Sequence, residues 1–246
     1  MKLIVAGASG FVATEVIRQS LGMPKITSVI AVERRPVSTP LNPVQGADDS
    51  KLHSFILDDY GSYPGEVIKQ FAGADACIWT VAITPSKSRG LDFGEVRRVC
   101  QDYTLAGLQA MFEAGGEGGS GVTPFCFMYM SGMVAERDQN KMSNGKDLAE
   151  ADDAATYQGE TENRVLAFAA EHNDAVEARV SKPGLITTLG QILKTVAAKY
   201  VISLPNVDVT KISAAMLYQV INGFEQEPLE NDYLVRIGRQ ALRDAV

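Results

Sequence analysis

Ser131 closes the apolar run Phe125 to Met130, FCFMYM, and is followed by a glycine. A hydroxyl at the carboxyl end of a strand stands on the edge of an open α/β sheet where ligands bind, so Ser131 is the first candidate for proton chemistry. Tyr157, just ahead of the helical segment Glu160 to His172, is the second, because a phenol can donate or take a proton. Asp152, Asp153, Glu160 and Glu162 add carboxylates nearby. A pair of them serves either as acid and base or as a solvated helix start. His53 and His172 lie far apart with no metal-ligand spacing around them, which leaves them structural or on the surface and predicts no metal site.

Those groups need a scaffold, and the chain supplies its clearest one at the start. Leu3 to Ala6 is a continuous apolar strand, Gly7-Ala8-Ser9-Gly10 a tight turn, and Phe11 to Leu21 an amphipathic helix. The first amides of a helix have no partner inside it, and the helix dipole favours negative charge there. A pyrophosphate satisfies both, so Gly7, Ser9, Gly10, Phe11 and Val12 are the expected contacts of a bound dinucleotide. Ala13 stands where a third glycine is common and still lets helix and strand pack closely. A second strand, Ile26 to Glu33, ends in Glu33-Arg34-Arg35-Pro36. An acid at that point accepts the ribose hydroxyls of NAD, whereas arginines there hold the extra phosphate of NADP. The adjacent Arg34 and Arg35 favour NADP, with NAD as the alternative.

Further along, Val37 to Ser50 reads as a surface loop and Leu52 to Leu57 as a third strand. Asp58 and Asp59 follow it, placed either to hydrogen-bond an adenine ring or to cap the helix Gly65 to Phe71. Ala76 to Ile83 is almost wholly apolar, as expected of a parallel strand covered on both faces, and Val81, Ala82 and Ile83 should run beside the nicotinamide ribose. A long helix, Phe93 to Ala114, carries an apolar stripe read as core. Gly115 to Gly121 is a flexible tract, and Glu136 to Asp153 an unpatterned loop suited to covering the site. The strand Val176 to Val180 leads to Ser181-Lys182-Pro183-Gly184. Leu185 to Tyr200 reads as helical, Ile212 to Phe224 as a helix and Tyr233 to Ile237 as a last short strand.

The fold class these elements imply is α/β, a doubly wound parallel sheet of the Rossmann type. With 246 residues, one domain accommodates the whole chain, with residues 185–225 adding a small substrate-facing lobe. A net charge of −7 argues against a nucleic-acid partner. The three cysteines are scattered, which suggests neither disulfides nor zinc, and no leader or membrane-spanning run is evident, so the cytoplasm is the expected location. A small molecule is the expected partner, and a homodimer is the open alternative to a monomer.

Gly7-Ala8-Ser9-Gly10-Phe11, the arginine pair, Tyr129-Met130-Ser131 and Lys182-Pro183-Gly184 together resemble the atypical short-chain dehydrogenase/reductase superfamily, and within it the NmrA-like and TIP30-like NAD(P)-binding proteins. The resemblance implies a bound NAD(P)H, with Lys182 and Pro183 among its contacts, and hydride transfer assisted by a Tyr-x-x-x-Lys pair beside a serine. That pair is missing. Gln158-Gly159-Glu160 lines up where the family has Lys-Gly-Glu, which puts Gln158 at the lysine position and Ala154 at the tyrosine position. Lys141 and Lys146, in the preceding loop, have no spacing that would replace it. Three functions remain: an NAD(P)H-dependent reductase, a non-redox isomerase, cyclase or lyase on the same fold, and a dinucleotide-sensing regulator.

Overall fold

Seven segments pair in parallel into one sheet: β1 (Lys2–Ala6), β2 (Ser28–Glu33), β3 (Leu52–Ile56), β4 (Ala76–Trp79), β5 (Phe125–Met130), β6 (Val176–Lys182) and, after a separate pair β7 (Leu185–Thr187) and β8 (Asn206–Asp208), the short β9 (Leu229–Glu230). The spatial order is β3-β2-β1-β4-β5-β6-β9, so the winding reverses between β1 and β4. In sheets of this kind such a reversal is where ligands bind, outside the carboxyl ends of the strands. The computed structural model describes residues 1–88, 90–115, 124–138, 153–188 and 205–244, with the backbone alone at 85–86 and 153–156.

Helices cover both faces. On one, α1 (Phe11–Leu21), α7 (Val209–Asn222) and α8 (Asn231–Asp244) enclose Leu3, Val5, Ile78 and Met128. On the other, α2 (Gly65–Phe71), α5 (Tyr103–Gly115) and α6 (Asp153–Glu171) bury Ile4, Trp79, Phe127 and Tyr129. Alternate residues of each strand therefore enter opposite cores, which is why β1 and β4 read as unbroken apolar runs. The short α3 (Pro85–Ser88) and α4 (Phe93–Arg97) lie between β4 and α5. Among the described residues no helix is long and apolar enough to cross a membrane.

Four expectations are corrected. The fourth strand stops at Trp79 rather than Ile83, because the Thr80 hydroxyl turns back to donate to the Ala6 carbonyl at 2.8 Å and the chain leaves the sheet. The long helix is interrupted by one π turn, Arg98–Asp102, which separates α4 from α5. Leu185 opens a strand instead of a helix, its amide held by the Pro205 carbonyl at 2.9 Å; from residue 189 the predicted helix lies outside the described residues. Tyr233 to Ile237 belongs to α8. Leu234, Ile237 and Gly238 share its buried face, and Gly238 meets α7 so closely that a methyl group there would lie 2.0 Å from the Lys211 carbonyl oxygen. The tract 116–121 and most of the loop predicted over Glu136 to Asp153, with Lys141, Lys146 and Asp152, also fall outside the described residues.

Candidate active site

The turn after β1 is built by backbone. Gly7 has φ of 75°, a conformation costly for any residue with a Cβ, and a methyl group there would lie 2.8 Å from Thr80 Oγ1. Its N–H and that of Ala8 donate to the Val32 carbonyl at 3.1 and 3.3 Å, and the Gly10 N–H donates to the Gly7 carbonyl at 2.8 Å. Tyr60, from the segment after β3, accepts from the Gly7 N–H at 3.2 Å and donates to the Val32 carbonyl at 2.7 Å. α1 then starts at Phe11 with Gly10 as its N-cap, no side chain capping it and no acid in its first turn. The first amides of a helix have no partner within it, and a methyl group on Gly10 would lie 3.0 Å from the Gly7 carbonyl oxygen. Val12 and Ala13 are buried beneath, while Ser9, Gly10 and Phe11 face outward.

Glu33, the last residue of β2, folds over this turn. One carboxylate oxygen accepts both the N–H and the O–H of Ser9, at 3.2 and 2.8 Å, and the other accepts the Arg34 N–H at 2.8 Å. The Arg34 guanidinium stands 3.8 Å away, exposed like Arg35. Asp58 and Asp59 are exposed at the neighbouring strand end. Asp59 accepts the Gly61 N–H at 2.9 Å, which lowers its pKa, so it closes a turn rather than capping α2, whose N-cap is Pro64.

Across the switch point, Ser131 sits in a buried ionic cluster. Its hydroxyl donates to Glu162 Oε1 at 2.5 Å. Glu162, fully buried on α6, also accepts from Lys182 Nζ at 3.0 and 3.1 Å and from Arg137 Nε at 2.6 Å. Lys182 donates in addition to the Ala135 carbonyl at 2.6 Å, and Arg137 reaches Glu227, whose other oxygen accepts the Val180 N–H at 2.9 Å. Burial works against the Arg137 cation, but Glu162 and Glu227 outweigh it and raise its pKa. Two acids and two bases thus balance in one cluster spanning β5, α6, β6 and the approach to β9. Lys182, expected at the cofactor, is committed to that cluster, and Pro183 is buried beside it with its carbonyl accepting the Met133 N–H at 2.9 Å.

Tyr157 occupies a different niche on α6. Its ring lies 5.0 Å from that of Phe93 and packs with Val96 and Cys100 against Ala82 and Ile83. Val81, Ala82 and Ile83 are half-buried just past β4, with the Ile83 N–H 3.4 Å from Cys100 Sγ. One residue on, Gln158 is buried, and a methyl group on Gly132 would meet its amide oxygen at 3.5 Å. The chain neighbours of Tyr157 and Ser131, Gln158 and Gly132, therefore lie close together.

The sequence matches no protein-family model and no curated protein sequence. Solved structures do resemble it. DesIV, a dTDP-glucose 4,6-dehydratase from Streptomyces venezuelae crystallised with NAD, is 16% identical, with a TM-score of 0.65 over 99% of this chain and 81% of its own. MoeE5, in complex with UDP-glucuronic acid and NAD, is 17% identical, with a TM-score of 0.61 over 93% of this chain and 74% of its own. The PhqB reductase domain from Penicillium fellutanum is 15% identical, with a TM-score of 0.63 over 93% of this chain and 66% of its own. The chain shares with these enzymes the doubly wound parallel α/β fold of the Rossmann type. Within that fold the glycine turn, the end of β2 and the ends of β4, β5 and β6 all lie along one carboxyl edge.

Sequence reasoning named Glu162 only as one of several carboxylates and missed Arg137 and Glu227. Its spacing held a usable signal, since Glu162 is one helical turn beyond Gln158 and so shares its face. Nothing local marks Glu227, 90 residues from Arg137 in the chain. Glu160 is half-buried outside the cluster, and the side chain of Asp153 lies outside the described residues. His53 is exposed, His172 stacks on Phe168 with ring centroids 4.4 Å apart, and the described residues contain no group of metal-ligating side chains.

Proposed function

We propose that the chain is a pyridine-nucleotide-dependent reductase of a small or medium organic molecule, using NAD in preference to NADP. The observation that carries this reading is the backbone-built turn, with an uncapped helix start beside it and Glu33 folded across it. The amides of Phe11 and Val12 would hold the pyrophosphate. Glu33 would accept the adenosine ribose hydroxyls, and its carboxylate would repel a phosphate on the same ribose, which tips the balance away from NADP even though Arg34 and Arg35 stand close. Asp58 and Asp59 would border the adenine, and Val81 to Ile83 the other ribose. NAD bound in DesIV and MoeE5, and the reductase assignment of PhqB, support the same reading.

When bound, the dinucleotide supplies a hydride at its nicotinamide ring. The chain's own residues would place the acceptor and manage its proton. The Ser131 hydroxyl donates its hydrogen bond to Glu162, so it would offer lone pairs rather than a donor to a ligand. Tyr157, against Ala82 and Ile83, is the phenol we assign to proton transfer. Glu162 is matched by Lys182 and Arg137, which removes it as the free acid or base that a non-redox isomerase or lyase would need.

Calorimetry with NAD and NADP tests the reading. NAD should bind at least about tenfold more tightly than NADP, Glu33→Ala should narrow or invert that ratio, and Gly10→Asp should abolish both by filling the helix start with a carboxylate. Absence of binding by either nucleotide to the wild-type chain would overturn it.

A further inference from the structure

We infer that Ser9 is the second half of the site that reads the adenosine ribose, its hydroxyl oxygen accepting one of the two neighbouring ribose hydroxyls while Glu33 accepts the other. The inference rests on the pyridine-nucleotide reading and names a specificity-determining residue within it. The Glu33 side chain is only 10% exposed, whereas Ser9, which bonds one of its oxygens through both amide and hydroxyl, is exposed. A ligand that approaches this carboxylate from outside therefore meets Ser9 as well.

An account of donors and acceptors assigns the roles. An ionised carboxylate can only accept, so the 2.8 Å contact commits the Ser9 proton to Glu33 Oε2. The Ser9 amide is spent on the same oxygen at 3.2 Å. Ser9 then has no donor left for a pyrophosphate, which moves it from the phosphate contacts, where the sequence placed it, to the ribose. What it keeps is the two lone pairs of Oγ, to which no described residue donates. A hydroxyl that donates to a charged acceptor is polarised by it and becomes a better acceptor itself. The charge of the buried Glu33 is in this way carried out to an exposed atom.

The other carboxylate oxygen has room for a single further donor. Glu33 Oε1 accepts the Arg34 N–H at 2.8 Å, while the Arg34 guanidinium, at 3.8 Å, is beyond hydrogen-bond reach. Two acceptors are thus on offer, Glu33 Oε1 and Ser9 Oγ, on either side of the saturated Oε2. A vicinal diol matches them with one hydroxyl each. Arg34 and Arg35 carry donors only, so neither can replace Ser9 in this role.

Calorimetry of the full chain with NAD, and with two NAD analogues lacking either the 2′- or the 3′-hydroxyl of the adenosine ribose, tests the inference. Ser9→Ala should weaken NAD by about three- to tenfold, the worth of one hydrogen bond, and Ser9→Thr should restore it. One analogue already lacks the hydroxyl that Ser9 accepts, and it should bind Ser9→Ala and wild type equally. The other should lose as much as NAD does. A Ser9→Ala chain that binds NAD like wild type overturns the inference. So does one that loses NAD and both analogues by the same factor, since a serine that only holds Glu33 in place would give that result. Both outcomes leave the nucleotide reading standing, whereas absence of NAD binding by the wild-type chain overturns that reading and the inference with it.

Discussion

Replacing Glu162 with glutamine keeps the shape of the side chain and deletes the charge on which three side-chain donors, Ser131, Arg137 and Lys182, converge. Lys182 and Arg137 would then face a neutral amide, and Lys182, whose side chain is nearly as buried as Glu162, would keep the uncharged Ala135 carbonyl as its partner. Removing one partner of a buried ion pair costs about 3–5 kcal/mol, since the other charge is left uncompensated. In a chain of this length each kcal/mol moves the melting temperature by about 2–4 °C, so Glu162→Gln should lower it by about 6–20 °C. Urea unfolding followed by far-UV circular dichroism gives the free energy directly. The double variant Glu162→Leu/Lys182→Met should recover part of the loss, because it removes the orphaned lysine while Arg137 keeps Glu227. A Glu162→Gln protein within about 1 kcal/mol of wild type would refute the claim that this cluster clamps α6 to β5 and β6.

Two further outcomes follow from the local geometry. Gly7→Ala should destabilise the chain by about 1–2 kcal/mol for the left-handed backbone alone, with more from the clash against Thr80, and should weaken NAD binding; urea titration and calorimetry read the two effects, and a variant as stable as wild type would contradict the positive φ. Burial raises the pKa of all three thiols, Cys77, Cys100 and Cys126, that of Cys126 to about 11. A raised pKa keeps a thiol protonated, so at pH 8 only about one Cys126 in a thousand is thiolate; a disulfide reagent should titrate the native chain slowly and three thiols at once in urea, and a native thiol reacting at the rate of free cysteine would contradict this.

Much of the scaffold is legible in the sequence because local physics decides it. The ends of α1 and α2 and the whole of β5 agree with the reading from apolar runs and breakers. The misreadings share a cause. β4 ends where a hydroxyl of its own neighbour captures a distant carbonyl, and α8 is a helix because its buried face, closed by Gly238, fits α7, although Tyr233 to Ile237 alternates well enough to pass for a strand. The site divides in the same way. The glycine turn is a local signal, so Gly7 and Gly10 could be named from their neighbours in sequence. The partner of Ser131 could not, since the cluster assembles Arg137, Glu162, Lys182 and Glu227 from four separated segments. The inward fold of Glu33 likewise depends on Ser9, 24 residues earlier.

Tyr60 bears on how quickly that edge can be occupied. A single phenol pins the exit of β2 to the bend after β1, so the amides of that bend already have protein partners before anything arrives. Nothing there has to fold first. Association should then be limited by diffusion and orientation, with a rate nearly independent of mild denaturant, whereas Tyr60→Phe should introduce a slower, concentration-independent phase in stopped-flow traces as the loosened bend searches for its shape.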